Sequence, residues 1–452
     1  MYLHPTLRYF GATVMLALSS PAWAQQELLL HQQGAAGLWN ATAVNPAFFP
    51  KEKRLAIGLP AFGLDAAHSG NITYNDLLRE QGGRTVLDLG PAIDKLEPEN
   101  DAYYDQRFET FSLGLRLPGN WWLQAGHAVR LNAALNYPKA LAELFWNGNA
   151  PYIGQTLEVG FATTTFDWNE LSLGLGKQFG ERFTVGARVK YLSGISALQT
   201  DDGHRQVQVY TDPDIYQLTV GTDYAFHSSS LISAIDTAGL GFDLALNQLK
   251  NGFSENAGWA FDLGVQAQLG ERLTLSASVL DLGGKISWKK NANYFKSQGS
   301  FRYDGVFIPG SDIINGTTDS LDFTAALDTL NDALQFEKTA AEFSSALPAR
   351  IYVGASYRLG ERWLLGAVLH HHNADRRKAT SVGVNAQWSV LKWLTAGAMY
   401  SVNDQSAVNI GLSLVLKPGP VQLFILSDNA LNAVTPYGSA AVNFRFGGAL
   451  LF

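Results

Sequence analysis

Apolar and polar residues alternate with a period of two along much of this chain, the pattern of a strand with one face against apolar surroundings and the other against polar ones. Three hairpins make the period explicit. In the first, Leu171, Leu173, Leu175 and Phe179 share a face, Gly180-Glu181-Arg182 turns the chain, and Phe183, Val185, Ala187, Val189 and Tyr191 resume that face. The arrangement returns with Phe261, Leu263, Val265, Ala267 and Leu269, the turn Gly270-Glu271-Arg272, and Leu273, Leu275, Ala277 and Val279. It returns again with Ile351, Val353, Ala355, Tyr357 and Leu359, the turn Gly360-Glu361-Arg362, and Trp363, Leu365, Ala367 and Leu369. The intervening positions carry Asp262, Gln266, Gln268, Thr274, Ser276, Ser278, Ser356 and Arg358, which suit a wet interior better than a dry core. Strands of a soluble sandwich average about 5 to 6 residues, and these are longer.

The carboxyl end alternates too. Val442, Phe444, Phe446, Leu450 and Phe452 fall on one face, Asn443, Arg445 and Gly447 on the other. A terminal aromatic on the apolar face of a last strand predicts the closing strand of an outer-membrane barrel, with Phe452 as the assembly signal for the barrel assembly machinery. The expected fold is therefore all-β, a transmembrane antiparallel β-barrel. At the opposite end, Met1 to Ala24 has the parts of a secretory signal: Arg8, an apolar stretch from Phe10 to Leu18, and Ala22-Trp23-Ala24 before Gln25. The expected organisation is a signal peptide over 1–24, a plug or hatch segment over 25–50 and a barrel over 51–452, placed in the cell outer membrane. After Ala24 no run of about 18 apolar residues offers a membrane helix, and with no cysteine there is no lipidated anchor.

Short turns of such barrels face the periplasm and long loops face outward. Turns at Pro118-Gly119-Asn120, at the three Gly-Glu-Arg sites, near Leu391 and at Lys417-Pro418-Gly419-Pro420 fall on one side only if Glu158 to Phe179 is one long strand, unbroken at Phe166-Asp167-Trp168-Asn169. The hairpin around Thr211-Asp212-Pro213-Asp214 leaves two totals open, 16 strands if its arms span the membrane and 14 if it stands outside. Long outward segments are expected at His68 to Asp105, Leu135 to Thr156, Phe226 to Asn256 and Asn291 to Leu347. Two of these predict helix. Pro138 to Trp146 opens on a proline and is stopped by Asn147-Gly148-Asn149. Phe323, Leu327, Leu330 and Leu334 form an apolar stripe on a loop helix, a device that packs a loop onto its barrel or gates a ligand.

Composition agrees with a barrel: 44 glycines, 12% aromatic and 16% charged residues among 452, with a mean hydropathy of -0.03. The formal charge of -7 and the lack of any Lys/Arg-rich tract exclude a nucleic-acid partner. Candidate chemistry is sparse. His370 and His372 share the lumen side of a strand end and form a candidate rim pair about 6.5 to 7 Å apart, but no third ligand accompanies them, so no metal site is assigned. His227-Ser228-Ser229-Ser230 and His68-Ser69 supply hydrolase residue types without triad spacing. The reading names no catalytic residue, no cofactor and no enzyme.

Several segments resemble a known family: Leu38-Trp39-Asn40 through Asn45-Pro46-Ala47-Phe48-Phe49-Pro50, Pro138 to Gly148 followed by Tyr152, and Val185-Gly186-Ala187-Arg188-Val189-Lys190-Tyr191-Leu192. Phe261-Asp262-Leu263-Gly264, Ser276-Ala277-Ser278-Val279-Leu280-Asp281-Leu282-Gly283 and Leu347-Pro348-Ala349 belong to the same likeness. They are similar to a Bacteroidota outer-membrane barrel family catalogued only as a domain of unknown function. More distantly, Asn45-Pro46-Ala47 after Gly34-Ala35-Ala36-Gly37 looks like the amino-terminal hatch of FadL-type transporters. That resemblance implies a passive channel for hydrophobic or amphiphilic small molecules, with Asn45, Pro46 and Ala47 in the hatch. The alternative is a protein-binding barrel that assists outer-membrane assembly or secretion, its protein partner unnamed. Outer-membrane lipid and a hydrophobic small-molecule ligand are the other expected partners.

Overall fold

The structure is a computed structural model that describes residues 27–50, 52–69, 72, 74–81, 84–230, 255–303, 334–374, 377–403, 409–430 and 441–452. The segment proposed as a signal peptide, and Phe323, Leu327 and Leu330 of the proposed loop helix, lie outside these residues.

Fourteen antiparallel strands close into one barrel. In chain order the wall is β1 (Leu55–Gly58, continued as Ala61–His68), β2 (Glu99–Leu117), β3 (Trp121–Pro138), β4 (Ala162–Phe179), β5 (Phe183–Thr211), β6 (Ala257–Leu269) and β7 (Leu273–Trp288). It continues through β8 (Ala349–Leu359), β9 (Trp363–Ala374), β10 (Arg377–Leu391), β11 (Leu394–Asn403), β12 (Asn409–Leu416), β13 (Val421–Ser427) and β14 (Ala441–Leu451). Closure is made by β14, which pairs with β13 on one side and with β1 on the other, Phe446 opposite Phe62 and Leu451 opposite Ala56. Closing the sheet removes its edges, so every strand finds two neighbours for its backbone groups. Pro60, which has no N–H, sits in the break within β1. Across that break the register with β14 slips by one residue, from Gly58↔Ala449 to Phe62↔Phe446.

The alternation seen in the sequence sorts side chains between the two faces of this wall. Leu173, Leu175, Phe261, Leu263, Ile351, Val353 and Leu365 are exposed on the outside, while Asp262, Ser278 and Arg350 are buried inside. The Gly-Glu-Arg turns are tight because Gly180, Gly270 and Gly360 take φ of 57°, 65° and 64°, a region that a Cβ disfavours. Aromatic rings gather near these turns. Phe179 meets Phe183 at 6.2 Å, Trp363 stacks on Trp388 at 5.8 Å, and Lys177 lies over Trp121 at 4.5 Å. Phe452 is exposed beside them, with its backbone bonded to Arg54 and Leu55.

At the far end from those turns β5 runs on beyond the wall. Its distal half pairs with Leu218–Ser229, which pairs with Ala292–Tyr303, which pairs with Glu337–Ala340. The hairpin at Thr211-Asp212-Pro213-Asp214 therefore stands outside the barrel, which decides for 14 strands. The long strand β4 continues through Phe166 to Asn169, in one register with β3 and with a one-residue shift against β5 between Asp167 and Trp168. It begins at Ala162 and not at Glu158. The chain leaves the wall at Val159-Gly160-Phe161, and Thr156–Glu158 instead pairs with the distal end of β5. The expected loops thus carry sheet of their own, because backbone groups beyond the wall still require partners. The helix Lys139–Asn147 forms as predicted, with Pro138 before its first turn and Gly148 ending it at φ 70°. Leu334, the one described member of its stripe, packs against Val159, Val209 and Val220 of this outer sheet.

Candidate functional site: a plugged lumen

Residues 27–50 are not part of the wall. They form the helix α1 (Leu28–Gly34), a 3-10 turn (Trp39–Ala43) and the turn at Asn45-Pro46-Ala47. Their hydrogen bonds reach strands all round the circumference. Leu28 and Leu29 N–H donate to the Asp428 carboxylate at 3.0 and 2.8 Å, Gln32 donates to the Ala367 carbonyl at 2.8 Å, and Gln33 donates to Ser413 Oγ at 3.0 Å. Trp39 bonds Gln422 and Ser112, each at 2.8 Å, while Gln124 and Ser278 donate to the carbonyls of Pro46 and Val44 at 3.1 and 2.6 Å. Partners on β2, β3, β7, β9, β12 and β13 can be met together only from inside. The segment fills the lumen.

Asn45, Pro46 and Ala47 sit against Gly186 and Gly264 of the wall. Asn45 is fully buried, its Oδ1 accepts the Ala47 N–H at 2.9 Å, and its amide donates to the Val265 and Ala277 carbonyls at 3.3 and 3.2 Å. A Cβ on Gly264 would lie 2.0 Å from Asn45 Oδ1, and one on Gly186 would lie 2.3 Å from the Pro46 carbonyl. These two glycines, both in the segments that carried the family likeness, are the groove into which the turn fits.

The lumen wall has two chemistries. On the side of β8, β9 and β11 to β13, Tyr352, Val368, Met399, Val415, Phe424 and Leu426 form an apolar surface that packs Leu28, Leu29, Leu30 and Leu38 of the plug. On the side of β2 to β8 the inward residues are ions. Lys190 Nζ lies 2.7 Å from Asp281 and 2.9 Å from Asp262, Arg350 lies 2.8 Å from Asp281, and Arg107 lies 3.1 Å from Glu170. Arg130 reaches both Asp281 and Glu170, at 3.3 and 3.5 Å. Charges this deeply buried persist only when paired, because removing one partner leaves another unsolvated.

Glu27, at the head of the plug, joins the two sides. Burial alone would raise its pKa, but Arg445 first and Arg350 next outweigh burial and hold it down at about 2. Burial pushes the His31 pKa down to about 3, so its ring is neutral, stacked on Tyr352 at 5.3 Å. Burial raises Asp428, which caps α1, to about 7 despite the N–H groups of Leu29 and Leu28.

His370 and His372 both point inward from β9 and are buried. Their rings are 6.3 Å apart; His370 lies 4.6 Å from the Tyr352 ring and His372 lies 6.3 Å from that of Tyr103. Among the described residues no group of three His, Asp or Glu is disposed to hold a metal. His68 Nε2 is 2.6 Å from the Tyr137 hydroxyl, and His227 stacks on Phe343. One cleft beside this segment is lined by Glu27, Asp65, Asp105, Arg350, Asp428 and Arg445 among others.

The chain matches the family model DUF5723, described as a family of unknown function, over residues 46–428. The chain belongs to that family. No curated protein matches it. Among solved structures it is similar to the Pseudomonas putida toluene transporter TodX, at 12% identity and a TM-score of 0.42 over 96% of each chain. It is also similar to a Pseudomonas aeruginosa FadL homologue, at 11% identity and 0.41 over 96% of this chain and 98% of that one. The Ralstonia pickettii toluene transporter TbuX follows at 12% and 0.37, over 91% and 93%.

The sequence reading named Asn45, Pro46 and Ala47 as site residues but not Glu27, Arg350 or Arg445, nor the ion network around Asp281. The signal was present: charged residues such as Arg188, Lys190 and Asp262 fall on the polar positions of otherwise apolar strands, well away from the turns.

Proposed function

We propose that this DUF5723 protein is an outer-membrane transporter for hydrophobic or amphiphilic small molecules, in which residues 27–50 are a plug that must shift for passage. The observation that carries this reading is the divided lumen: an apolar sector and an ionic sector, both covered by one segment that is no part of the wall. A barrel meant only to be solid would fill its interior from the wall itself. Here three consecutive leucines of the plug occupy the apolar sector, and their withdrawal would bare a surface suited to a hydrocarbon, with polar groups opposite for a head group. The exposed apolar residues on the outer face of the wall support placement in a membrane.

The test is flux. Barrel lacking residues 25–43, reconstituted in liposomes, is expected to pass a hydrophobic dye at least about tenfold faster than the intact chain. Equal rates from correctly folded protein would contradict the reading and favour a barrel that binds proteins.

A further inference from the structure

Glu27 is held in a backbone conformation that glutamate rarely adopts, φ 63° and ψ 27°. Its carboxylate bridges Arg350, at 3.1 Å, and Arg445, and it accepts from the Tyr352 hydroxyl at 3.4 Å. The cradle has more donors than this one carboxylate uses. Arg350 Nε and Arg445 Nη1 are buried without a hydrogen-bond partner among the described residues. Gly63 makes room for Arg445, since a Cβ there would lie 2.7 Å from its Nε. Arg350, Arg445 and Glu27 also line one cleft together. Directly after Glu27 come Leu28, Leu29 and Leu30, seated in the apolar sector. The head of the plug thus has the chemical order of an anionic amphiphile.

Resting on the reading of residues 27–50 as a plug that shifts, we propose that Arg350 and Arg445 form an anion site which Glu27 occupies as a built-in competitor. A singly charged amphiphile, its anionic head on the two arginines and its tail toward the surface that the leucines cover, displaces Glu27 and releases the plug. Asp65, Asp105 and Asp428 line the same cleft. Their presence favours one negative charge, the number that Glu27 brings, over two.

The experiment is calorimetric titration of the full chain and two variants in phosphatidylcholine nanodiscs, with octyl sulfate, octyl glucoside and inorganic sulfate as probes. Glu27→Gln keeps the shape and removes the competing charge, so octyl sulfate is expected to bind it at least about tenfold tighter than the native chain, with octyl glucoside unchanged. Arg445→Gln is expected to lose at least about tenfold in octyl sulfate affinity. Should Arg445→Gln fail to fold, as read from heat-modifiable mobility, added sodium chloride on the Glu27→Gln variant serves instead and should weaken octyl sulfate but not octyl glucoside. Octyl glucoside binding as well as octyl sulfate, or an unchanged affinity in Glu27→Gln, would overturn the anion site. Inorganic sulfate binding as tightly as octyl sulfate would overturn the amphiphile. These are binding readouts, so a plug-deleted barrel that stays closed would end the transport reading and leave them standing.

Discussion

Asp281 shows how one residue ties the lumen together. It takes φ of 58°, a conformation that aspartate tolerates better than most side chains, and its own N–H donates to Asp262 at 2.9 Å. Its carboxylate faces Lys190, Arg350 and Arg130. Asp281→Asn keeps the backbone preference and leaves three buried cations short of a counter-charge. The expected loss is about 3 to 5 kcal/mol of stability, the cost of breaking a buried ion pair, measured by the urea midpoint of heat-modifiable protein. The exposed Asp214 is the control, and its Asn variant should change stability by less than about 0.5 kcal/mol. At this scale the sequence was legible where the backbone demands a residue type. Gly180, Gly270 and Gly360 marked turns because glycine takes their positive φ at the least steric cost, and Asn45-Pro46 marked a turn. Asp281 was visible only as a charge in a strand, because its three partners come from β3, β5 and β8 and meet it only on closure.

Among elements, the plug helix α1 depends on a single cap. Asp428, just beyond β13, receives the first two N–H groups of the helix, as a carboxylate at a helix N-terminus should. Burial raises its pKa from 3.8 to about 7. Undocking the plug returns Asp428 to water and to its ordinary value, so between those two pH values docking takes up a proton. Docking is then strongest on the acid side of the window and weakens as pH rises toward and through about 7. Glu27 works the other way: its lowered pKa favours docking above its ordinary 4.5, and that support is lost only as pH falls toward 2. Protease accessibility of the plug is therefore expected to rise from about pH 5 to about pH 8, and Asp428→Asn should abolish the rise. A flat profile in the native chain would remove the cap from the account. Period-two alternation announced the strands that build this cradle, yet it says only in or out. It cannot say which inward residues share a sector, and so the apolar and ionic halves of the lumen were not foreseen. The outer sheet was hidden for a related reason: β5 passes from wall to extension as one strand, Phe183–Thr211, and its partner Leu218–Ser229 is as strand-like as a wall strand.

For the whole molecule, closure turns a chain of weakly amphipathic strands into a barrel whose outside is apolar and whose inside is filled by its own amino-terminal segment. The terminal strand made the barrel legible, and the Thr211 to Asp214 hairpin left the strand number open because its arms are as strand-like as any. The account rests on residues 27–50 being separable from the wall. They meet it through hydrogen bonds that are each modest alone, one bridging carboxylate and the packing of Leu28, Leu29, Leu30 and Leu38 on the apolar sector, and the strands pair with one another without them. The most direct measurement is single-channel conductance in planar bilayers of the chain lacking residues 25–43, beside the intact chain. The account predicts steady open-channel current from the shortened protein and a closed trace with rare openings from the intact one. A closed trace from both, with the shortened barrel shown to be folded, would mean that the wall seals itself, and would contradict it.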